Sequence, residues 1–564
     1  MRVLPTVSVT ALVLAAVGCA SASGAPITRS PASGGASATA STASSSSSSE
    51  PSPSTSASTP ATTAAPASGP NDATAEKVQE AISEFETLVD STMKSTGIPG
   101  IAIAVVYRDQ VVELKGFGVR DVTKPDPVDA DTVFQLASVS KPLSSTVLAG
   151  LVGDKIITWD DRIVDLDPSF AMSDPYVTAN VTLRDMYAHR SGLPAYAGDL
   201  LEDMGYTREE ILHRLREVPL VDEGFRAAYN YTNFGITAAA VAAAKADGKL
   251  WEDLAKSRLY DPLGMTDTSS RYDDYLAAKD RAVGHVKVGD AWVAKYQRDP
   301  STESPAGGAS SSVKDLAQWM RLQLGNGTVD GKEIIDEAAL AETHIPEMVS
   351  SRPQPPATSR AGFYGLGWNV GYDAEGRVRW AHSGAFGLGA ATNVNMIPAD
   401  QLGIVVLTNA APIGIAEALG QSFLDLATTG KVQQDWVALY QAAFAQLIEH
   451  FHHQVADYST PPANPSPPLA NGAYLGTYDN EFYGPIQIVE RDGGLAMLQG
   501  PKQTAFPLRH WDRDTWLYDP IGESAPGTSG VTFKIGPAGT ATSVVVENLD
   551  LEALGTFTLE GPPA

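Results

Sequence analysis

The sequence predicts an α/β (α+β) fold: an antiparallel sheet flanked by helices, a helical subdomain packed against it, and a small all-β domain at the C-terminus. Three observations predict it. Two β-rich runs, 97–107 and 110–118, meet at Arg108-Asp109 early in the chain and read as a hairpin. Strand-like runs return only late, at 378–382, 389–397 and 402–409, after a long and largely helical middle. Beyond Asn471 the pattern changes again, to short β runs separated by turn residues.

Taken in order, the chain opens with Met1-Arg2, an apolar run from Val3 to Val17, and then Gly18-Cys19. One positive charge and a short apolar core ending in small residues make residues 1–18 a secretory signal, too short for a spanning helix. Cys19 is the only cysteine, so no intramolecular disulfide framework is expected. Ala16-Val17-Gly18-Cys19 resembles a bacterial lipobox, in which Cys19 is lipidated and becomes the mature N-terminus. The expectation is an exported lipoprotein on the outer face of the membrane, held by a lipid on Cys19, or a secreted protein if the box is not used. Ala16 stands where leucine is usual.

Residues 19–71 collapse to Ser, Thr, Ala, Pro and Gly. Such a segment buries too little apolar surface to offset its ordering entropy, and it reads as a disordered tether. An ordered unit is expected over 72–430, starting with an amphipathic helix near 72–96. A helix over 413–428 closes it, and 431–470 forms a linker helix followed by the stiff stretch Pro461-Pro-Ala-Asn-Pro-Ser-Pro-Pro468. Residues 471–564 form the all-β tail, in which Arg491-Asp-Gly-Gly494 fits a hairpin turn. The formal net charge of −26 over 564 residues argues against nucleic acid as a partner, because such a chain repels phosphates.

Ser-x-x-Lys occurs three times, as Ser91/Lys94, Ser138/Lys141 and Ser311/Lys314. The first lies on a polar helix face, and in the third Ser312 with Asp315 reads as an acidic capping box. Only the middle copy, Phe134-Gln-Leu-Ala-Ser138-Val-Ser-Lys141, leads into an unbroken apolar helix. A serine hydroxyl needs a base to become a nucleophile, and a lysine one turn on supplies one when its surroundings hold its pKa down. The N–H groups at the helix start suit an oxyanion. Tyr231-Thr-Asn233 follows in a loop before an alanine-rich helix. Its phenol serves as base or relay if an ammonium favours the anion, and Asn233 holds Lys141 or orients a substrate amide. Trp380-Ala-His382-Ser383-Gly384-Ala385 reads as an edge strand that receives an extended substrate, with Gly384 permitting close approach. Arg190-Ser191-Gly192 is superficially similar to this element but falls in a turn. No Gly-x-Ser-x-Gly elbow and no zinc helix is present, and His450, His452 and His453 read as a solvated helix face rather than metal ligands.

The order Ser-x-x-Lys, Tyr-x-Asn, His-x-Gly resembles the β-lactamase-related serine hydrolases: class C β-lactamases, D-alanyl-D-alanine carboxypeptidases, D-aminopeptidases and related esterases. Val181-Thr-Leu-Arg-Asp-Met-Tyr-Ala-His-Arg-Ser-Gly-Leu-Pro194, Tyr260-Asp-Pro-Leu-Gly-Met265 and Pro305-Ala-Gly-Gly308 are similar to the same family, and the resemblance covers roughly residues 75–430. It implies a serine β-lactamase/penicillin-binding-protein-like fold, an acylated Ser138, and proton work shared by Lys141 and Tyr231. It further implies substrate contacts at Asn233, His382 and Gly384, an oxyanion hole from the N–H groups of Ser138 and Ala385, and no cofactor or metal. The substrates it implies are D-amino-acid peptides, small esters or amides, or β-lactams. The alternative is an inactive penicillin-binding-like protein that binds wall peptides or a partner. His382 stands where β-lactamases carry lysine; if charged, it would hold a substrate carboxylate and make KM depend on pH. The tail resembles the small β-barrel attached to many such hydrolases.

Overall fold

A computed structural model describes residues 72–562, apart from residues 356, 358, 453 and 552. The signal, the tether and Cys19 therefore lie outside the described residues, as does the His450/His452/His453 side-chain cluster. Among the described residues, no helix is long and apolar enough to cross a membrane.

Helix α1 (Ala75–Thr96) is capped by the Thr74 hydroxyl, which accepts from Lys77 N at 3.3 Å. It buries Val78, Ala81, Ile82, Phe85 and Val89, spaced three and four apart, on one stripe. Strands β1 (Gly100–Tyr107) and β2 (Gln110–Gly118) follow as the expected hairpin. Arg108 and Asp109 both take left-handed backbone (φ 48° and 61°), the twist that a two-residue hairpin turn needs.

Six more strands complete an antiparallel sheet: β3 (Met348–Ser351), β4 (Gly362–Tyr364), β5 (Asn369–Tyr372), β6 (Val378–Phe386), β7 (Ala390–Ile397) and β8 (Leu402–Thr408). The strand order is β2-β1-β8-β7-β6-β5-β4-β3, so the N-terminal hairpin joins the sheet beside its last strand. β1 is buried along its whole length, and period two divides it between two cores. Ile101, Ile103 and Val105 meet α1 and helix α5 (Ile415–Thr429), where Phe85 and Phe423 pack edge to face at 5.3 Å. Ala102, Ala104 and Val106 face the helical subdomain, which includes α2 (Ser140–Gly153), α3 (Asn233–Ala246) and α4 (Val313–Leu324). Small residues on this face let α4 lie close to β1.

The strand bearing His382 corrects one expectation. It is not an edge strand throughout, because β5 pairs with it from Val378 to Ala381. β5 then ends, and His382–Phe386 is paired to β7 alone. Edge character is confined to the half that holds the motif.

Helix α6 (Trp436–His452) leads to a closed eight-stranded barrel: β9 (Gly476–Asp479), β10 (Ile486–Arg491), β11 (Gly494–Gln499), β12 (Thr504–Asp512), β13 (Thr515–Tyr518), β14 (Ser529–Ile535), β15 (Ala541–Val546) and β16 (Thr556–Gly561). Closure leaves no free edge. Its interior is filled by buried side chains such as Tyr478, Tyr518, Phe533 and Phe557. The barrel docks on the helical subdomain, where Tyr206 Oη donates to Tyr483 O (2.6 Å) and Arg214 donates to Glu481 O and Phe482 O (2.9 Å each).

Candidate active site

Ser138 sits in a 3-10 turn, Ala137–Val139, that runs straight into α2. Ala137 before it has φ 47°, a left-handed conformation that costs an alanine of order 1 kcal/mol and aims the next side chain sharply. Neighbours hold this turn on both sides. Thr392 Oγ1 of β7 donates to Leu136 O (2.7 Å), Leu136 N donates to Ala309 O (2.9 Å), and Ala309 N donates to Ser140 Oγ (2.9 Å). On β6, a Cβ added to Gly384 would overlap Leu136 O and stand 3.0 Å from Ser138 N, so only glycine lets the strand come this close.

Lys141 lies one turn on and is fully buried. Its Nζ is 3.0 Å from Ser138 Oγ, 2.7 Å from Asn233 Oδ1 and 3.0 Å from Ala306 O. Burial pulls its pKa down to about 7, although Glu303 and Asp199 act in the opposite direction. A neutral amine has two N–H groups and one lone pair. Asn233 Oδ1 and Ala306 O only accept, so they take the two N–H groups, and the lone pair is left facing the Ser138 hydroxyl. Asn233 is itself oriented by donating Nδ2–H to Asp199 Oδ2 (2.8 Å).

Tyr231 comes in beside this pair at the start of α3, with Lys141 Nζ 4.5 Å from its ring centroid. Of the two roles open to it, base or relay, the base would need a phenol that loses its proton easily. Burial raises its pKa well above 10, and the Ser138 hydroxyl offsets this only in part. In the free site Tyr231 is a neutral phenol, whereas the Lys141 amine loses its charge far more readily than an ordinary lysine.

His382 is the next group of the motif set. Its ring is buried, Nδ1 lies 2.7 Å from Ser383 O and Nε2 lies 2.9 Å from Tyr364 Oη. The carbonyl can only accept, so Nδ1 carries the proton and Nε2 accepts from the tyrosine. Burial, then repulsion from Lys141, pushes its pKa down to about 3. The ring is neutral at ordinary pH, so the charge on which binding of a substrate carboxylate was conditional is not there. Ala385, three residues on, is exposed.

Several groups here escape sequence reasoning. The Ala306 carbonyl is main chain and has no sequence signature, although Pro305-Ala-Gly-Gly308 marks its segment. His189 packs its ring on Tyr231 (4.5 Å) and Tyr364 (4.8 Å), and its Nδ1 accepts from Thr232 N (3.1 Å), which fixes the loop carrying Tyr231. Behind Lys141, Arg298 donates to Glu303 Oε1 (2.7 Å) and to Glu202 while its guanidinium lies 4.9 Å from the Phe386 ring centroid. Arg190, in the turn set aside above, is spent on ion pairs with Asp185 and Glu347 at 2.8 Å each. The third Ser-x-x-Lys is likewise structural. Ser312 caps α4 by accepting from Asp315 N (3.2 Å), but Asp315 turns to Asp267 N and Thr268, so the reciprocal bond of a capping box is missing.

The beta-lactamase family model matches residues 85–420, which span the sheet, the helical subdomain and every residue just described. The chain belongs to the beta-lactamase family. A second family, a domain of unknown function, matches residues 460–557 over the barrel. An unguisins hydrolase of Aspergillus violaceofuscus is 25% identical over 507 residues, covering 82% of this chain and 87% of that protein. Penicillin-binding protein 4 of Amycolatopsis lactamdurans is 26% identical over 405 residues, covering 69% and 95%. The octameric penicillin-binding protein homologue from Pyrococcus abyssi superimposes with a TM-score of 0.55 at 19% identity, over 83% of this chain and 98% of that one. This last likeness concerns the fold, whose sheet with flanking helices and whose C-terminal barrel agree with the architecture expected from the sequence. The beta-lactamase-like family is one of serine hydrolases, in keeping with a serine held beside a buried amine.

Proposed function

We propose that this protein is a serine hydrolase that works through an acyl-enzyme on Ser138, acting on D-amino-acid peptides, small esters or amides, or β-lactams. The observation that carries the reading is the lone pair of Lys141 facing Ser138 Oγ at 3.0 Å, with both amine hydrogens taken by Asn233 and Ala306. Lys141 takes the hydroxyl proton as Ser138 Oγ attacks the substrate carbonyl. The N–H groups of Ser138 and Ala385 receive the oxyanion. The Tyr231 phenol, neutral and adjacent, passes a proton toward the leaving group, and water then releases the acyl group by the reverse path. The free edge at His382–Phe386 takes the substrate backbone as an added strand. A neutral His382 favours substrates that do not need a cation at this point, which places esters and amides ahead of β-lactams. The hydrolase name of the Aspergillus relative supports turnover rather than binding alone.

A fluorophosphonate probe tests this directly. It should label the wild-type protein and leave Ser138→Ala unlabelled; equal labelling of both ends the proposal. For location, the lipobox-like stretch before Cys19 motivates lipidation there. Cys19→Ser should move the protein from the membrane fraction to the medium, and an unchanged distribution would refute the anchor.

A further inference from the structure

The barrel reaches the active site through the loop between β13 and β14. In the turn between β6 and β7, just past Ala385, Gly387 N and Leu388 N point outward as successive donors. Glu523 of the barrel loop accepts from both, at 2.5 Å and 3.3 Å. Two adjacent backbone N–H groups attract an anion, and here a carboxylate from another domain fills that place. The loop that brings it is itself pinned. Asp203 accepts from Glu523 N and Ser524 N at 2.9 Å each. Gly522, at φ 130°, passes so close that a Cβ there would overlap the Asp203 carboxylate. Arg298 lies 3.8 Å from Glu523 Oε2 and covers Phe386, so the same cation that neutralises Glu202 and Glu303 behind Lys141 also faces the barrel loop. The Glu523 side chain is only 21% exposed.

We propose that Glu523 is a positioning residue for the oxyanion hole: it holds the β6–β7 turn from the barrel side and so keeps the Ala385 N–H aligned with that of Ser138. This rests on the acyl-enzyme reading above. It assigns the C-terminal domain a part in the chemistry, acting through the backbone of β6 rather than by touching substrate.

The test is steady-state hydrolysis of p-nitrophenyl acetate by the full chain, comparing wild type with Glu523→Ala, Glu523→Gln and Arg214→Ala. Displacing a catalytic donor by about 1 Å costs about 100-fold, so Glu523→Ala should lower kcat by about 10-fold to about 100-fold with KM changed less than about threefold. Glu523→Gln keeps one acceptor oxygen and should lose less; it also serves if the alanine variant does not fold. Arg214→Ala weakens barrel docking away from the turn and should keep the wild-type kcat. Unchanged kcat in both Glu523 variants overturns the inference, and so does an equal loss in Arg214→Ala. A wild-type protein without Ser138-dependent turnover overturns the acyl-enzyme reading itself, which separates the two failures.

Discussion

Tyr364 Oη donates to His382 Nε2 across 2.9 Å, and the two rings meet edge to face with centroids 5.9 Å apart. Both side chains are buried, and His382 Nδ1–H is already committed to Ser383 O. A proton added to Nε2 would place a charge in this buried position near Lys141 and force the phenol to turn its own hydrogen away. The third motif of this family member is therefore a neutral scaffold.

From this follows a pH prediction opposite to the one drawn from the sequence. With its pKa near 3, His382 stays uncharged from about pH 5 to about pH 8, the span in which an ordinary histidine titrates. The ratio of KM values for a carboxylate-bearing ester and its neutral analogue should be flat over that span. A tenfold rise in the ratio through about pH 6.5 would restore a charged His382.

Gly384→Ala tests how closely β6 must approach the nucleophile. The new methyl would meet Leu136 O and Thr392 Oγ1, both part of the clamp on the Ser138 turn. The expected cost is about 1–3 kcal/mol of stability, as for overpacked cores, with kcat falling at least about 100-fold. Urea unfolding and ester hydrolysis measure the two effects. Retention of wild-type kcat would show that β6 can retreat without harm.

Arg298→Ala removes the cation shared by Glu202 and Glu303, whose side chains are 7% and 4% exposed. Stranding buried carboxylates should cost about 3–5 kcal/mol at neutral pH. Burial and the neighbouring acids hold the Glu303 pKa well above the ordinary range, so it takes up a proton readily and the penalty should shrink as pH falls. Chemical denaturation at two pH values reads this out, and a loss below about 1 kcal/mol at neutral pH would contradict the buried-pair account.

The sequence carries those parts of the fold that repeat or run long. Period two in β1, three-four spacing in α1 and the apolar α2 are strong local signals, and each element lies where it is expected. β3, β4 and β5 are missed because three or four residues cannot display a period. At the site, side-chain motifs are legible while their environment is not. Burial lowers the Lys141 pKa, keeps Tyr231 a neutral phenol and leaves His382 uncharged, and burial belongs to the assembled fold. Glu523 has no local signal at all, since its meaning comes from a turn 136 residues away in the chain.

The central claim is that Lys141, and not Tyr231, receives the Ser138 proton in the free enzyme. The rate of fluorophosphonate labelling as a function of pH tests it most directly. An amine with pKa about 7 must be neutral to act, so the rate should rise tenfold per pH unit below about 7 and level off above it. Tyr231→Phe should keep that midpoint. A rate that keeps climbing to about pH 10, or one with no limb above about pH 5, would contradict the assignment.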